Sequence, residues 1–149
     1  MSIMASDAVF KGLNRFHRTV TRLTFGRVGW RAGGMTVIEL TTTGRVSGRP
    51  QTCLLTSPLR TEHGHVVVAS RGGDSRHPDW FLNLQANPDV TVSIAGASSR
   101  PARARIASSK ERADLWPRIV SEYRNYAAYQ AKTDREIPIV VIEAARAEA

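Results

Sequence analysis

A single cysteine, Cys53, excludes an internal disulfide and any multi-cysteine metal site, and suits a reducing compartment. Its plainest reading is a small buried strand residue rather than a nucleophile. The four histidines, His17, His63, His65 and His77, show neither an HExxH arrangement nor zinc-finger intervals, so no metal is expected. Uninterrupted apolar runs are short, Ile139 to Ile142 being typical, and the first twenty residues lack an apolar core. Neither a membrane span nor a secretion signal is therefore expected, and the location expected is cytoplasmic. Acidic residues are outnumbered, 13 Asp and Glu against 21 Lys and Arg, for a formal net charge of +8. That excess is mostly N-terminal: residues 1 to 31 hold six basic side chains and one acidic, the rest of the chain fifteen and twelve. There is no internal repeat and no low-complexity segment, and 149 residues suit one domain with a sizeable core.

Residues 1–34 read as a basic amphipathic helix and linker, and residues 35–149 as the folded domain. Val9, Leu13, Phe16, Val20 and Leu23 are spaced 4, 3, 4, 3, while Lys11, Arg15, Arg18 and Arg22 repeat that spacing two residues out of phase. At roughly 100° per residue the two stripes fall on opposite faces of one helix. Such a helix, over residues 7–25, either lies on an anionic membrane surface or packs on its own domain with the basic face in water. Both readings stay open.

Past the glycine-rich linker Gly26 to Gly34, Met35 to Thr43 and Gln51 to Ser57 read as strands of a hairpin, and His65 to Ser70 as a third strand after a turn at Glu62-His63-Gly64. Pro78 suits the first turn of a helix carrying Trp80, Phe81 and Leu84, which Asn87-Pro88 ends. Val90 to Ile94 and Arg100 to Ile106 alternate about Gly96 as a second hairpin. Ser108-x-x-Glu111 is a capping box ahead of the stripe Leu115, Trp116, Ile119, Val120 and Tyr123, in which Pro117 predicts a kink or split. Ile137 to Glu143 makes a sixth strand. Six short strands without βαβ alternation predict a small antiparallel barrel with helices at its rim.

Two glycine-rich turns carry the chemistry: Thr43-Gly44-Arg45-Val46-Ser47-Gly48, and Ser70-Arg71-Gly72-Gly73. Gly44 and Gly48 permit the positive φ angles of tight turns, so that backbone N–H groups point into one concavity, while Arg45 and Ser47 add charge-assisted and hydroxyl hydrogen bonds. That is the pattern of an anion cradle. Nucleic acid is a poor partner by the same reading, since the basic residues sit on one helix and two loops without an aromatic sheet face. Tyr123, Tyr126 and Tyr129 recur every third residue, which alone suggests core or rim packing.

These motifs come in order with Ala69-Ser70-x-Gly72-Gly73, His77-Pro78-x-Trp80-x-x-Asn83-Leu84-x-Ala86-Asn87-Pro88, and Tyr126-x-x-Tyr129-Gln130-x-x-Thr133-Asp134-Arg135-x-Ile137-Pro138. From about Leu40 to Glu143 the chain thereby resembles the deazaflavin-dependent nitroreductase family of split β-barrel oxidoreductases. The resemblance implies a six-stranded split barrel that binds coenzyme F420, an 8-hydroxy-5-deazaflavin with a phosphate and an oligoglutamate tail. It assigns cofactor contact to Arg45, Ser47, Gly48, Gln51, Ser70, Arg71 and Gly72, and places Arg49 and Arg76 along the anionic tail. Gln51 stands where many relatives carry an arginine, and Thr56 where some carry an aromatic.

The same resemblance implies that Tyr126 and Tyr129 position substrate or donate a proton, with Tyr123, Trp80 and Thr56 as further substrate contacts. For Trp80 core packing remains an equal reading. His77 is most simply a residue leading into a helix, and Arg135, with Asp134, a brace for the final strand. The expected function is hydride transfer from reduced F420 to a quinone, enone or nitroaromatic acceptor. The alternatives are a module that sequesters the deazaflavin or another phosphorylated ligand without turnover, and an oxidoreductase using FMN instead. Relatives of the flavin type often form homodimers.

Overall fold

The computed structural model describes residues 31–145. The basic amphipathic helix expected over residues 7–25, and its membrane or domain contact, lie outside the described residues. The strands are β1 (Arg31–Ala32), β2 (Met35–Thr43), β3 (Pro50–Ser57), β4 (Leu59–Thr61), β5 (Gly64–Val68), β6 (Asp89–Ile94), β7 (Arg100–Ile106) and β8 (Ile139–Ala144). The helices are α1 (Asp79–Ala86), α2 (Ser109–Glu122) and α3 (Asn125–Ala131).

Every ladder is antiparallel, in the order β1-β2-β6-β7-β8-β5-β4, with β3 on β2. The sheet is not closed. β3 pairs only with β2, and after Pro58, which has no N–H to donate, the chain continues as β4 on β5. Across that gap Ser57 Oγ lies 2.8 Å from the Val66 carbonyl.

Eight strands therefore replace the six expected, because two very short ones escaped the alternation pattern. β4 is three residues long. β1 lies inside the presumed linker: Ala32 pairs Met35 across a Gly33-Gly34 turn whose φ angles, 58° and 83°, suit a two-residue hairpin. Arg31 and Ala32, ahead of the boundary expected at residue 35, are thus part of the sheet. The third strand ends at Val68, leaving Ala69 and Ser70 in a loop.

Two apolar clusters fill the interior. Ile38, Leu40, Val67, Val92, Ala104 and Val140 of the sheet meet Phe81 and Leu84 of α1 in the first. Leu115 and Ile119 of α2 and Tyr126 of α3 cover Val66, Val68, Ile139 and Val141 in the second. Pro117 does not split α2, which runs unbroken to Glu122. Leu115 and Ile119, on either side of the proline, are both buried, and that burial offsets the lost backbone hydrogen bond. The break comes instead at Tyr123, which caps α2.

The capping box is present: Ser108 Oγ accepts from the Glu111 amide, and Glu111 Oε1 accepts from the Ser108 amide. Glu111 also pairs with Arg105 at 2.7 Å. The Arg105 side chain, and then the Ser108 amide, hold its carboxyl down at about 2 from an ordinary value of 4.5. A depressed carboxyl stabilises the fold above its unfolded value and loses that contribution as pH falls through its folded one. Glu111→Gln should therefore melt lower than wild type at pH 7, by about 1 kcal/mol of stability. The difference should shrink between pH 4.5 and about 2 in paired thermal melts; a difference constant with pH would contradict the assignment.

Candidate active site

β2 and β5 run in the same direction, because the three strands between them alternate. The turn after β2, the loop after β5, α1 ahead of β6 and the α2–α3 segment after β7 therefore all emerge at one end of the sheet. Residues from four separate stretches of sequence meet there.

The turn after β2 is pinned by one residue of α1. Asn83 is 1% exposed, and its Oδ1 accepts from the Arg45 amide at 3.1 Å and from Arg45 Nη1 at 2.9 Å. Its Nδ2 donates to Gln51 Oε1 at 2.8 Å and to Thr42 Oγ1 at 3.1 Å. The amide orientation follows from the donors: only the oxygen can face two Arg45 N–H groups. Arg45 Nη2 reaches Asp79 Oδ1 at 3.4 Å, also on α1.

Gly44 does not take the positive φ expected of it; Gly48 does, at 70°. Space is tight at Gly44 instead: a Cβ there would stand 2.6 Å from Ser47 Oγ and 2.9 Å from Gln51 Nε2, side-chain ends that would have to move, and 3.2 Å from the Arg49 carbonyl. Four amides of the turn, those of Gly44, Arg45, Gly48 and Arg49, are already bonded, the last to Ser47 Oγ. The amides of Val46 and Ser47 have no partner among the described residues. Val46 is 93% exposed at the tip.

The loop after β5 is a strained turn. Arg71, Gly72 and Gly73 have φ of 46°, 64° and 87°, three successive left-handed residues. Ser70 O accepts from the Gly73 amide and Arg71 O from the Asp74 amide. The Arg71 guanidinium turns onto Asp74 at 3.3 Å. The Arg76 amide, then the Arg71 and Arg76 guanidinium groups, hold the Asp74 carboxyl below the usual carboxylate range. Gly73 lies on α3, where a Cβ would stand 2.8 Å from the Tyr129 carbonyl.

Arg135 does not brace the final strand. Its guanidinium bonds the carbonyls of Ala69, Ser70 and Asp74 and approaches His77 Nδ1 at 3.1 Å. Burial, and then Arg135, lower the His77 pKa, which leaves Nδ1 free to accept. His77 sits just ahead of α1, so that helix is tied to both loops.

Tyr126 is buried, with its hydroxyl 3.4 Å from Met35 Sδ and within reach of Thr56. Burial raises its pKa, and the Thr56 contact opposes that. Tyr129 is half-buried and edge-on to Tyr126, with centroids 6.0 Å apart. Tyr123 packs in the same cluster from the link between α2 and α3. Trp80 belongs to the other cluster, beside Phe81, Cys53 and Leu55. The structure thus groups Thr56 with the tyrosines and sets Trp80 apart from them. Cys53 is partly buried in β3, and desolvation, then Glu39, push its thiol up to about 12, which suits packing and not nucleophilic chemistry. Among the described residues no cluster could hold a metal ion.

The family model for F420H(2)-dependent quinone reductases matches residues 13–144. This chain belongs to that family. F420H(2)-dependent quinone reductases of Mycobacterium tuberculosis are similar to it, one at 38% identity over 137 residues, covering 87% of this chain and 89% of the relative. A solved F420-H2 dependent reductase, FDR-A, superposes with a TM-score of 0.61 at 39% identity, over 72% of this chain and 93% of its own. A second solved chain, described as a domain-swapped dimer, gives 0.64 at 36% identity over 85% and 94%.

The cofactor of that family is F420H2. The first turn carries two amides with no partner among the described residues beside the Arg45 and Arg49 side chains, a donor set whose chemistry suits a phosphate. The second loop carries Gly72, which has no side chain. Asn83 and Gln130 were given no role by the sequence, and Arg135 only that of a brace for the final strand. The signal for Asn83 was present, as a polar residue between Phe81 and Leu84 on the apolar face of α1.

Proposed function

We propose that this chain reduces quinones with F420H2, the cofactor seated on the Gly44–Arg49 turn and the Ser70–Gly73 loop and the acceptor bounded by the tyrosines of α3. Membership of a family defined by that reaction, over nearly the whole described chain, carries the reading. When bound, reduced F420 supplies a hydride from C5 of its ring, and a proton completes the two-electron reduction of a quinone to its quinol.

The chain's own residues bind, orient and exclude water. Arg45 and Arg49 offset the charge of the phosphate and tail, with Ser47 adding a hydroxyl. Ser70, Arg71 and Gly72 line the ring, their backbone fixed before binding. Tyr129, half-exposed beside the second loop, orients a quinone oxygen through its hydroxyl. Tyr126 keeps its proton at neutral pH and serves as a wall and hydrogen-bond donor, with Thr56 setting its hydroxyl. Trp80 shapes the seat from the first cluster. The break at Pro58, where β3 passes to β4 across the gap, supports the split-barrel reading, and the domain-swapped neighbour supports a homodimer.

Arg45→Ala tests the seat. Loss of a charge-assisted contact of about 1.5 to 3 kcal/mol should weaken F420 binding roughly tenfold to hundredfold in a fluorescence titration, run beside an FMN control. Unchanged affinity would place the anion site elsewhere.

A further inference from the structure

The Arg135 guanidinium makes all its contacts with the loop after β5 and its flank, 58 to 66 residues away in sequence. Nε donates to Asp74 O at 2.9 Å. Nη2 donates to Ser70 O at 2.9 Å and to Ala69 O at 3.2 Å. Nη1 donates to Ala69 O at 3.2 Å and faces His77 Nδ1 at 3.1 Å. A guanidinium has five N–H groups, and all five are engaged. Arg135 therefore has no donor left for a ligand, and its role is exerted through the loop.

That loop needs holding. A non-glycine residue in the left-handed region costs roughly 1–2 kcal/mol, and such strain persists only where the surroundings over-determine it. Arg71, at φ 46°, opens a left-handed run whose other two members are glycines. The guanidinium gathers the carbonyls on both sides of the run, Ala69 and Ser70 before it and Asp74 after it. Arg135 is itself anchored, because Gln130 Nε2 donates to its carbonyl at 2.7 Å, and Gln130 belongs to α3 one residue after Tyr129. Gln130 Oε1 in turn accepts from the Ile137 amide at 2.9 Å and from Arg112 Nη2 at 3.2 Å.

We infer that Arg135 is a positioning residue, a five-point clamp that sets the cofactor loop in register with the tyrosine helix. The inference rests on the reading that this loop holds F420. Lysine cannot substitute, since its ammonium has three donors on a point and no planar fork to span three carbonyls. It keeps the charge and most of the apolar stem, so the fold should survive the change.

The test compares wild type, Arg135→Lys and the exposed control Arg118→Lys in full-length protein, reading F420 affinity by fluorescence, quinone KM and kcat at saturating F420, and melting temperature. Arg135→Lys should weaken F420 binding about tenfold and raise the quinone KM, with kcat within about twofold and a melting temperature near wild type. Arg118→Lys should match wild type throughout. A lower melting temperature with unchanged F420 affinity would reduce Arg135 to a stability role and overturn the inference. Should Arg135→Lys not fold, His77→Phe removes only one of the five contacts and should weaken F420 about threefold; no change there would overturn the inference too. Wild type failing to bind F420 would instead sink the cofactor reading on which it rests.

A double-mutant cycle with Arg71→Gly isolates the strain. Glycine relieves the left-handed penalty, so Arg71→Gly should cost less affinity in the Arg135→Lys background than in wild type, and additive effects would contradict the clamp.

Discussion

Asn83→Leu should abolish F420 binding at concentrations a hundredfold above the wild-type dissociation constant. The residue is buried, and its two ends satisfy four groups: the Arg45 amide and guanidinium, the Gln51 amide oxygen and the Thr42 hydroxyl. Leucine fills the volume but leaves these groups facing an apolar surface. Each stranded polar group costs on the order of 1–3 kcal/mol, so the turn rearranges to reach water and the seat is lost as a unit. Global stability should drop by about 2–4 kcal/mol in denaturant melts, less than the sum, because the turn lies at the surface and can relax. Asn83→Asp separates the two ends. It keeps an acceptor for Arg45 but replaces the donor that serves Gln51 and Thr42, so binding should weaken less than in the leucine variant. Equal, full-strength binding in both variants would show that the turn is not preset by α1.

Gly73→Ala should be nearly as damaging, and through a different cause. The alanine Cβ would stand 2.8 Å from the Tyr129 carbonyl and 3.1 Å from Cβ of Lys132, while φ is 87°. A lysine end can swing aside, but the Tyr129 carbonyl is backbone within a helix. Either α3 moves off the loop or the loop abandons its left-handed run. Both outcomes separate the cofactor seat from the tyrosines, so kcat/KM for a quinone should fall by about a hundredfold, corresponding to about 2.7 kcal/mol of transition-state stabilisation. Gly48→Ala is the informative comparison. Its φ is 70°, yet nothing lies within 4 Å of the Cβ position, so it bears conformational strain without a clash. It should cost about 1 kcal/mol of stability and leave quinone turnover within a few fold. If the two alanine variants behaved alike, backbone strain and not the contact with α3 would explain the requirement for Gly73.

Much of this arrangement was legible in the sequence where periodicity was long enough to count. Strands β2 and β7 begin and end where their alternation does, and the Ser108 capping box marks the start of α2. The failures are local. β1 and β4 are too short to show a period, and their pairing depends on partners distant in sequence, which local pattern cannot reveal. Pro117 was read by its intrinsic cost, but burial of Leu115 and Ile119 outweighs one lost hydrogen bond. At the site, the glycine turns were legible because φ and close approach depend on residue type. What each glycine does was not: Gly44 answers a steric demand set by Ser47 and Gln51, and no positive φ. Asn83 is the clearest omission, and Arg135 was assigned to the wrong element. Their partners lie 32 to 66 residues away, so only the fold brings them together.

The placement of the tyrosines shows the same limit. Three residues spaced by three suggested core or rim packing without showing the break between them: Tyr123 caps one helix while Tyr126 and Tyr129 lie on the next. Their shared cluster comes from the break between the helices. Trp80, for which substrate contact and core packing were equal readings, packs against the first core.

Quinone reduction is tested most directly by anaerobic oxidation of F420H2 by a quinone such as menadione, followed by the return of deazaflavin absorbance, with reduced FMN as the parallel donor. Protein-dependent consumption of one F420H2 per quinone reduced, saturable in both, is expected, with no comparable rate from reduced FMN. F420H2 that binds but is not oxidised by any quinone, or turnover with FMN alone, would contradict it.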